Sequence, residues 1–282
     1  LTPLATSSFF AQAVHNAGVP KGLINIVTGY GNEAGEALIN HQDVAQITFT
    51  GSVKTGKVIL HAAAERAVPA VVELGGKSAA VVLPDADINK VVNATKIGIF
   101  SQAGQICSAM SRMIVHKSIK DEVLDQLYKL AGSLKIGAGN EEGVDLTPII
   151  SEDQLQKVEN YARSGLQSGA NAVFGGKRVD RKGYFFEPTI YSDVKSDMTI
   201  AQEEIFGPFL SVLEYDDYDE AVEIANDTKY GLAAGVFTND IDMATKTASD
   251  LNGGQVYVNS WFTGSIATPF GGYKQSGYSR EK

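Results

Sequence analysis

Two types of side chain in this sequence could together perform covalent catalysis. Cys107 is the only cysteine among the 282 residues, and small or polar residues flank it on both sides. Glu73 ends an apolar run just before a pair of glycines, and Glu204 stands in the acidic and aromatic stretch 203–208. A thiol can attack an electrophilic carbon, and a carboxylate can take a proton from water. The residue types therefore predict a cysteine nucleophile served by a carboxylate.

Each of these residues also has a purely structural interpretation. A lone cysteine is more often a small buried hydrophobe than a nucleophile. Glu73 could be a water-exposed strand end, Glu204 a helix cap and Phe206 a core side chain. The joint occurrence of these residues, rather than any one of them, favours a site.

The elements that must position these side chains alternate between strands and helices. Apolar runs rich in β-branched residues predict strands, and amphipathic runs predict helices. In the first part we predict helices over 3–17, 29–41 and 51–67, and strands over 23–28, 47–50 and 68–74. Beyond it we predict strands over 79–83, 113–116, 185–190, 210–215, 233–238 and 256–258, and helices over 87–102, 119–130, 151–168, 218–227 and 240–251. This alternation predicts an α/β fold of parallel βαβ units, with a change of domain near residues 75–76.

Two glycine loops follow predicted strands and open predicted helices, a geometry that points backbone N–H groups at an anion. Gly29, Gly31 and Gly35 give the spacing G-x-G-x-x-x-G, close to the dinucleotide fingerprint and equally compatible with an ordinary tight turn. The second loop, Gly51 and Ser52, predicts a short pyrophosphate cradle that needs no metal.

The second loop also matches a different motif. Residues 51–57 fit the phosphate loop G-x-x-x-x-G-K, but Val58 stands where a magnesium-binding loop needs a Ser or Thr hydroxyl. Gly56 and Lys57 also fall within a helical apolar pattern. A phosphate-loop nucleotidase is therefore an alternative with less support than the short cradle.

Composition limits the class of protein. The formal net charge of -9 disfavours nonspecific binding to nucleic acid or to an anionic membrane surface. No apolar run reaches the roughly 18 residues of a membrane span, and no secretory signal is evident. One cysteine excludes an intrachain disulfide, and four scattered histidines argue against a zinc site. We expect a cytoplasmic protein that acts on a small molecule, with no metal, nucleic acid or membrane as partner.

Five stretches resemble the aldehyde dehydrogenase superfamily, in the family's order and at close to its separations. They are FTGS (49–52), ELGGK (73–77), GQIC (104–107), EEIFGP (203–208) and PFGGYKQSG (269–277). The resemblance covers essentially the whole chain and implies an aldehyde-dehydrogenase-like α/β fold. It implies a partial Rossmann-type cofactor domain (the C-terminal half of the dinucleotide-binding domain, 1–75), an α/β catalytic domain (76–275) and the start of a truncated C-terminal segment (276–282).

The resemblance also implies roles for residues. Cys107 is the expected nucleophile that forms a thiohemiacetal and, after hydride transfer to a nicotinamide, a thioester. Glu73 is the expected base that activates water to hydrolyse the thioester, which favours hydrolysis over acyl transfer to coenzyme A. The implied cofactor contacts are Gly51 and Ser52 at the pyrophosphate, Gly31 and Gly35 on the adenosine side and Gln154 on the ribose side. The resemblance also implies Glu204 at the nicotinamide ribose, Phe206 beside it, and Leu74 as a further cofactor contact. Trp261 and Phe262 match the variable substrate-facing loop and predict, with Ile106, an apolar or aromatic pocket.

The family's N-terminal part and final tail have no counterpart in this sequence, which also begins without methionine. In the family the N-terminal part carries an asparagine that donates to the oxyanion and the residues that grip the adenosine ribose. We therefore expect a piece of a longer chain that forms a homodimer or homotetramer when full length, whereas residues 1–282 alone turn over poorly or not at all. NAD is the expected cofactor and NADP is possible. The alternative is a non-catalytic aldehyde-dehydrogenase-like protein with a structural or binding role.

Overall fold

Helices and two short strands make up the first part of the chain. The computed structural model describes residues 4–282, so Pro3, predicted in the first turn of the first helix, lies outside the described residues. The elements in chain order are helix α1 (Leu4–Asn16), a π-helical turn (Gly31–Gly35), helix α2 (Glu36–Asn40), strand β1 (Ile47–Thr50), helix α3 (Val53–Glu65) and strand β2 (Ala70–Glu73). Strands β1 and β2 are neighbours in a small sheet.

The predicted strand over residues 23–28 is wrong. This segment forms no strand, and Leu23 and Val27 are 71% and 73% exposed. An extended segment becomes a strand only when a neighbouring strand satisfies its backbone N–H and C=O groups. No strand among residues 4–282 pairs with this segment, so its β-branched composition does not produce a strand here.

The rest of the chain folds around a seven-stranded sheet. Its elements are β3 (Ala79–Val82), α4 (Ile88–Thr95), β4 (Arg112–His116), α5 (Lys120–Ser133), α6 (Glu152–Gln167), β5 (Asn171–Phe174), β6 (Thr189–Ser192), α7 (Thr199–Gln202), β7 (Phe209–Tyr215), α8 (Tyr218–Asn226), β8 (Ala233–Phe237), α9 (Ile241–Asp250), β9 (Gln255–Val258) and β10 (Gly277–Tyr278). The strand order is β5-β6-β7-β4-β3-β8-β9, with β5 and β6 antiparallel and every other neighbouring pair parallel. The predicted α/β fold is confirmed.

Several elements differ from the predictions, and three examples follow. The strand predicted over 185–190 begins only at Thr189, directly after Pro188, which has no N–H to give to a strand ladder. Strand β5 was not predicted, because its four residues are partly exposed and show no apolar alternation. The helix predicted over 87–102 is α-helical only to Thr95 and continues as a π-helical turn over Lys96–Phe100.

The core lies on the central strands of this sheet. All four residues of β3 and all five of β8 are buried. Parallel strands that are covered on both faces are expected to be continuously apolar in this way. The buried Arg112 guanidinium, at the start of β4, donates to the carbonyl oxygens of Lys77, Ile224 and Ala225 at 3.0, 2.9 and 2.7 Å. These bonds fix the segment after Glu73 to helix α8.

Backbone contacts divide the chain into two compact units. The first comprises the residues up to Phe49 together with Lys54–Val72, and the second comprises Thr50–Val53 and Glu73–Lys282. The glycine-serine loop therefore belongs to the unit that contains both Cys107 and Glu73. The predicted domain boundaries at 75–76 and 275–276 stay predictions. Among residues 4–282, every helix is too short or too polar to cross a membrane.

Candidate active site

A left-handed backbone segment delivers Cys107 to its position. Gln102, Ala103 and Gly104 have φ angles of 51°, 53° and 66°, a conformation that costs non-glycine residues on the order of 1 kcal/mol each. At Gly104 a Cβ atom would lie 2.0 Å from the carbonyl oxygen of Gly207, so only glycine fits there. The direction of the chain therefore changes abruptly between the π-helical turn and Cys107.

A tight turn then holds the thiol. The Ala109 N–H donates to the Ile106 carbonyl oxygen at 3.0 Å, which places Cys107 and Ser108 at the two central positions. Ser108 is 5% exposed, and its own carbonyl oxygen accepts a bond from the Trp261 indole Nε1–H at 3.1 Å. Cys107 itself is only partly buried, so its sulfur can be reached.

The surroundings of Cys107 favour the thiol over the thiolate. Burial is the largest influence and raises the pKa of Cys107, and the negative charges of Glu204 and Glu73 raise it further. The backbone N–H groups of Ser108 and Cys107 lower the pKa and oppose this rise. Because the charges that act on the pKa of Cys107 are negative, a nucleophile here needs a base that accepts its proton.

Glu73 ends strand β2 as a buried carboxyl group without a hydrogen bond. The residue is 2% exposed, and neither carboxyl oxygen has a partner among the described residues. Burial raises the pKa of Glu73 to about 7, the charge of Glu281 raises it further, and that of Arg280 lowers it. A carboxyl group with this pKa exchanges a proton near neutral pH, which is the property of a general base or acid.

Glu204 is held in place by hydrogen bonding. The Gly76 N–H donates to its Oε1 at 3.0 Å, and at Gly75 a Cβ atom would lie 2.5 Å from its Oε2. Burial is the largest influence and raises the pKa of Glu204, while the Gly76 N–H and the Lys77 charge lower it. The backbone of Gly75 and Gly76 therefore packs directly against the Glu204 carboxylate.

Helix α6 fixes the loop that carries Glu204. Ser151 caps the helix by accepting from the Gln154 N–H, and the Gln154 side-chain Nε2–H donates to the carbonyl oxygens of Ile205 and Phe206 at 2.9 and 3.0 Å. Phe206 has a φ of 56°, which the loop sustains despite its cost to a non-glycine residue. Gln154 thus supports the loop as well as lining the cavity described next.

Most of the predicted site residues line one cavity of about 680 Å³ within the second unit. The predicted residues found there are Gly51, Ser52, Leu74, Cys107, Gln154, Glu204 and Phe206. Glu73 does not line this cavity, but its charge acts on the Cys107 thiol, and the next residue, Leu74, lines the cavity wall. Gly31 and Gly35 lie in the first unit, where they line a separate cavity of about 1120 Å³.

Two contributions to the site escaped the sequence predictions. Lys157 and Tyr161 line the same cavity as Gln154, three and seven residues further along α6. Their helical spacing was the signal that could have identified them. Trp261 was predicted to face substrate, but it is 3% exposed and lies outside the residues that line the cavity. That part of the pocket prediction is wrong.

The phosphate-loop alternative loses its structural basis. Gly56 and Lys57 belong to helix α3, which begins at Val53, and Gly56 is buried. A phosphate loop needs its glycines in the turn before the helix. Among the described residues, no group of three or more His, Cys, Asp or Glu side chains is placed to hold a metal ion.

Known proteins match this chain along its whole length. The model of the aldehyde dehydrogenase family matches residues 1–282. A mitochondrial aldehyde dehydrogenase of Leishmania tarentolae is 44% identical over 281 residues, 99% of this chain and 56% of that protein. A putative aldehyde dehydrogenase of Bacillus subtilis is 44% identical over 280 residues, again 99% of this chain and 56% of that protein.

Solved structures give the same result. The NAD+ complex of an aldehyde dehydrogenase from Bacillus cereus superposes with a TM-score of 0.96 at 44% identity. The superposition covers 99% of this chain and 57% of that chain. The chain therefore spans a little over half the length of the relatives it matches.

Proposed function

This chain belongs to the aldehyde dehydrogenase family, and we propose that the protein carrying it oxidises an aldehyde to a carboxylic acid with NAD as the hydride acceptor. The observation that carries the proposal is the arrangement around the thiol. Cys107, on a tight turn, shares a cavity with Glu204 and Leu74, and the buried carboxylate of Glu73 lies close enough to act on its pKa. Sequence and geometry thus point to the same two reacting groups.

In the proposed reaction, the Cys107 thiol releases its proton to solvent, its sulfur bonds to the aldehyde carbonyl carbon, and the carbonyl oxygen becomes the oxyanion of a thiohemiacetal. The backbone N–H of Cys107 is one donor for the oxyanion, and a lost oxyanion donor costs about 10²–10³ in rate. A bound NAD would supply the hydride acceptor, and loss of the hydride with collapse of the oxyanion would convert the thiohemiacetal on Cys107 to a thioester. Glu73 then removes a proton from water, the water attacks the thioester, and the carboxylic acid leaves as the thiol is restored.

The residues of the cavity fit the nicotinamide side of a dinucleotide. Gly51 and Ser52 immediately precede helix α3, whose first N–H groups carry the positive end of the helix dipole and suit a pyrophosphate. The Glu204 carboxylate, fixed by the Gly76 N–H, suits the hydroxyl groups of a ribose. Gln154 and Phe206 would complete this side, whereas the adenosine-side roles of Gly31 and Gly35 rest on the sequence resemblance. NADP remains an alternative cofactor.

The substrate, the assembly and the location of the protein are proposals on the same basis. The substrate is an aldehyde whose side chain we do not specify, and the assembled protein is a homodimer or homotetramer. We keep cytoplasm as the proposed location, although the name of one relative places that protein in mitochondria.

The test is an assay of the purified protein with a panel of aldehydes and NAD or NADP, following the reduced nicotinamide. We expect turnover that Cys107→Ser abolishes, because serine is a far weaker nucleophile toward this carbonyl. In residues 1–282, iodoacetamide should label wild type but not the variant, since Cys107 is the only cysteine among them. A fold that matches wild type, a thiol that alkylates no faster than a free thiol, and no turnover by the full-length protein would favour the non-catalytic alternative.

A further inference from the structure

We propose that Trp261 is a positioning residue for Cys107, acting through the hydrogen bond from its indole N–H to the Ser108 carbonyl oxygen. The inference deepens the proposed function, since it rests on Cys107 as the nucleophile. It assigns Trp261 to the support of the thiol instead of to a substrate pocket.

The hydrogen bond acts on one particular peptide group. The carbonyl of Ser108 and the N–H of Ala109 are the two ends of the same planar unit. The N–H end donates to the Ile106 carbonyl oxygen at 3.0 Å and closes the turn. The carbonyl end accepts from Trp261 Nε1 at 3.1 Å. Both ends of this peptide are therefore held, and its plane cannot rotate without breaking a bond.

The plane of this peptide determines the setting of the thiol. Cys107 and Ser108 are the central residues of the turn, and the Ser108 N–H lowers the pKa of the Cys107 thiol. If the peptide after Ser108 rotates, ψ of Ser108 and φ of Ala109 change, and the bond from the Ala109 N–H to the Ile106 carbonyl oxygen is lost. Without the bond that closes the turn, the backbone of Cys107 and Ser108 is no longer held, and the thiol and the Cys107 N–H lose their fixed positions.

Packing shows that the indole has a fixed place. At Gly98 a Cβ atom would lie 3.1 Å from the Trp261 ring, and at Gly235, in strand β8, it would lie 2.7 Å from the ring. The ring of Tyr257, in strand β9, lies 5.3 Å away between centroids. Two positions without a side chain thus accommodate the ring, and the indole N–H is aimed by rigid elements rather than by a mobile loop.

A purely hydrophobic role would not need the N–H group. A buried indole N–H must find an acceptor, because an unsatisfied buried donor is destabilising, but many acceptors could serve. Here the acceptor is the residue next to the nucleophile, 153 positions away in the chain. Hydrophobic packing and positioning make different predictions for a ring that keeps its shape and loses its N–H.

The chain allows that exchange at a single site, because Trp261 is its only tryptophan. Growth of a tryptophan-requiring host on β-(3-benzothienyl)alanine replaces the N–H by sulfur within a ring of nearly the same shape. The readout is the rate of Cys107 alkylation by iodoacetamide across pH, which requires neither aldehyde nor cofactor. We expect alkylation at neutral pH to slow roughly fivefold, the factor that corresponds to one ordinary hydrogen bond, and the apparent thiol pKa to rise.

Two controls separate positioning from general damage. Incorporation of 5-fluorotryptophan by the same method keeps the N–H and should leave the alkylation profile at the wild-type rate. Tyr215→Phe removes another buried side-chain-to-backbone bond of 3.1 Å, from the hydroxyl of Tyr215 at the end of β7 to the carbonyl oxygen of Val82 at the end of β3. It should alter stability without altering alkylation.

A benzothienyl protein that folds and alkylates with the wild-type rate and pH profile would overturn the proposal. So would equal slowing in Tyr215→Phe. If the benzothienyl protein does not fold, Trp261→Phe gives the same decision, with circular dichroism confirming its fold. Failure of the proposed aldehyde oxidation is recognised separately, as absent turnover with an intact alkylation profile.

Discussion

Two carboxylates act on the same thiol, and they differ in what holds them. Glu73 is almost completely buried and neither of its oxygens has a hydrogen-bond partner among the described residues. Glu204 is half-buried and accepts from the Gly76 N–H at 3.0 Å. Burial raises the pKa of both; the Arg280 charge opposes this rise at Glu73, whereas at Glu204 both a hydrogen bond from the Gly76 N–H and the Lys77 charge oppose it. A carboxyl group without a hydrogen-bond partner is suited to exchange a proton. A carboxylate that is fixed by a hydrogen bond is suited to hold a ligand in a defined position.

The largest expected effect comes from a substitution at Glu73, which tests whether the two carboxylates differ in role. Glu73→Gln keeps the shape and removes the base, so kcat for aldehyde oxidation should fall by about 10²–10⁴-fold. Alkylation of Cys107 should persist and become somewhat faster, because the variant removes a negative charge that raises the thiol pKa. Stopped-flow reduction of NAD would retain its first turnover while later turnovers slow. Steady-state turnover within twofold of wild type would contradict the assignment of Glu73 as base.

The pH dependence tests the same carboxyl without changing its surroundings. With a pKa of about 7, the ionised fraction of Glu73 rises about tenfold between pH 6 and pH 8. Hydrolysis of a preformed thioester on Cys107 should rise by a similar factor over that interval. Glu73→Gln should lack this rise, and a wild-type rate that is flat across the interval would count against a raised pKa.

The expected effect at Glu204 is on cofactor affinity. Glu204→Gln can still accept from the Gly76 N–H but loses its charge, so the KM for NAD should rise by about 3–10-fold while kcat changes less. The neighbouring Glu203→Gln is the matched control, because that carboxylate bonds to the Tyr161 hydroxyl and does not line the cavity. A larger loss in kcat than in affinity for NAD would indicate that Glu204, like Glu73, acts in the chemical step.

The smallest expected effect is on stability. Because the folded-state pKa of Glu73 is raised, the folded chain binds more protons than the unfolded chain between about pH 4.5 and pH 7. Stability contributed by this group is therefore present below that window and lost as pH rises through it. Glu73→Gln should be more stable than wild type at pH 8 by about 1–3 kcal/mol and nearly equal at pH 4. Denaturant midpoints at the two pH values measure the difference, and the opposite trend would exclude the raised pKa.

The sequence carried the fold class and the main site residues because both depend on local signals. Alternating apolar runs predicted a parallel α/β sheet, which strands β3, β4, β7 and β8 form. The glycine pair after Glu73 and the small residues around Cys107 identified positions where a close backbone approach or an exposed thiol was required. A composition rich in β-branched residues misled at residues 23–28, since strand formation depends on a neighbour as well as on propensity.

By itself the sequence determined which groups can do chemistry: one thiol, two carboxylates beside glycines, and a glycine-serine loop ahead of a helix. Only the tertiary structure decided how those groups are held. It left Glu73 without a partner, gave Glu204 the Gly76 N–H, and placed the Trp261 N–H on the carbonyl beside Cys107. The physical reason is that residue type fixes the pKa and hydrogen-bonding capacity of a group in water. Burial and most of the partners that change them come from residues that are distant in the chain.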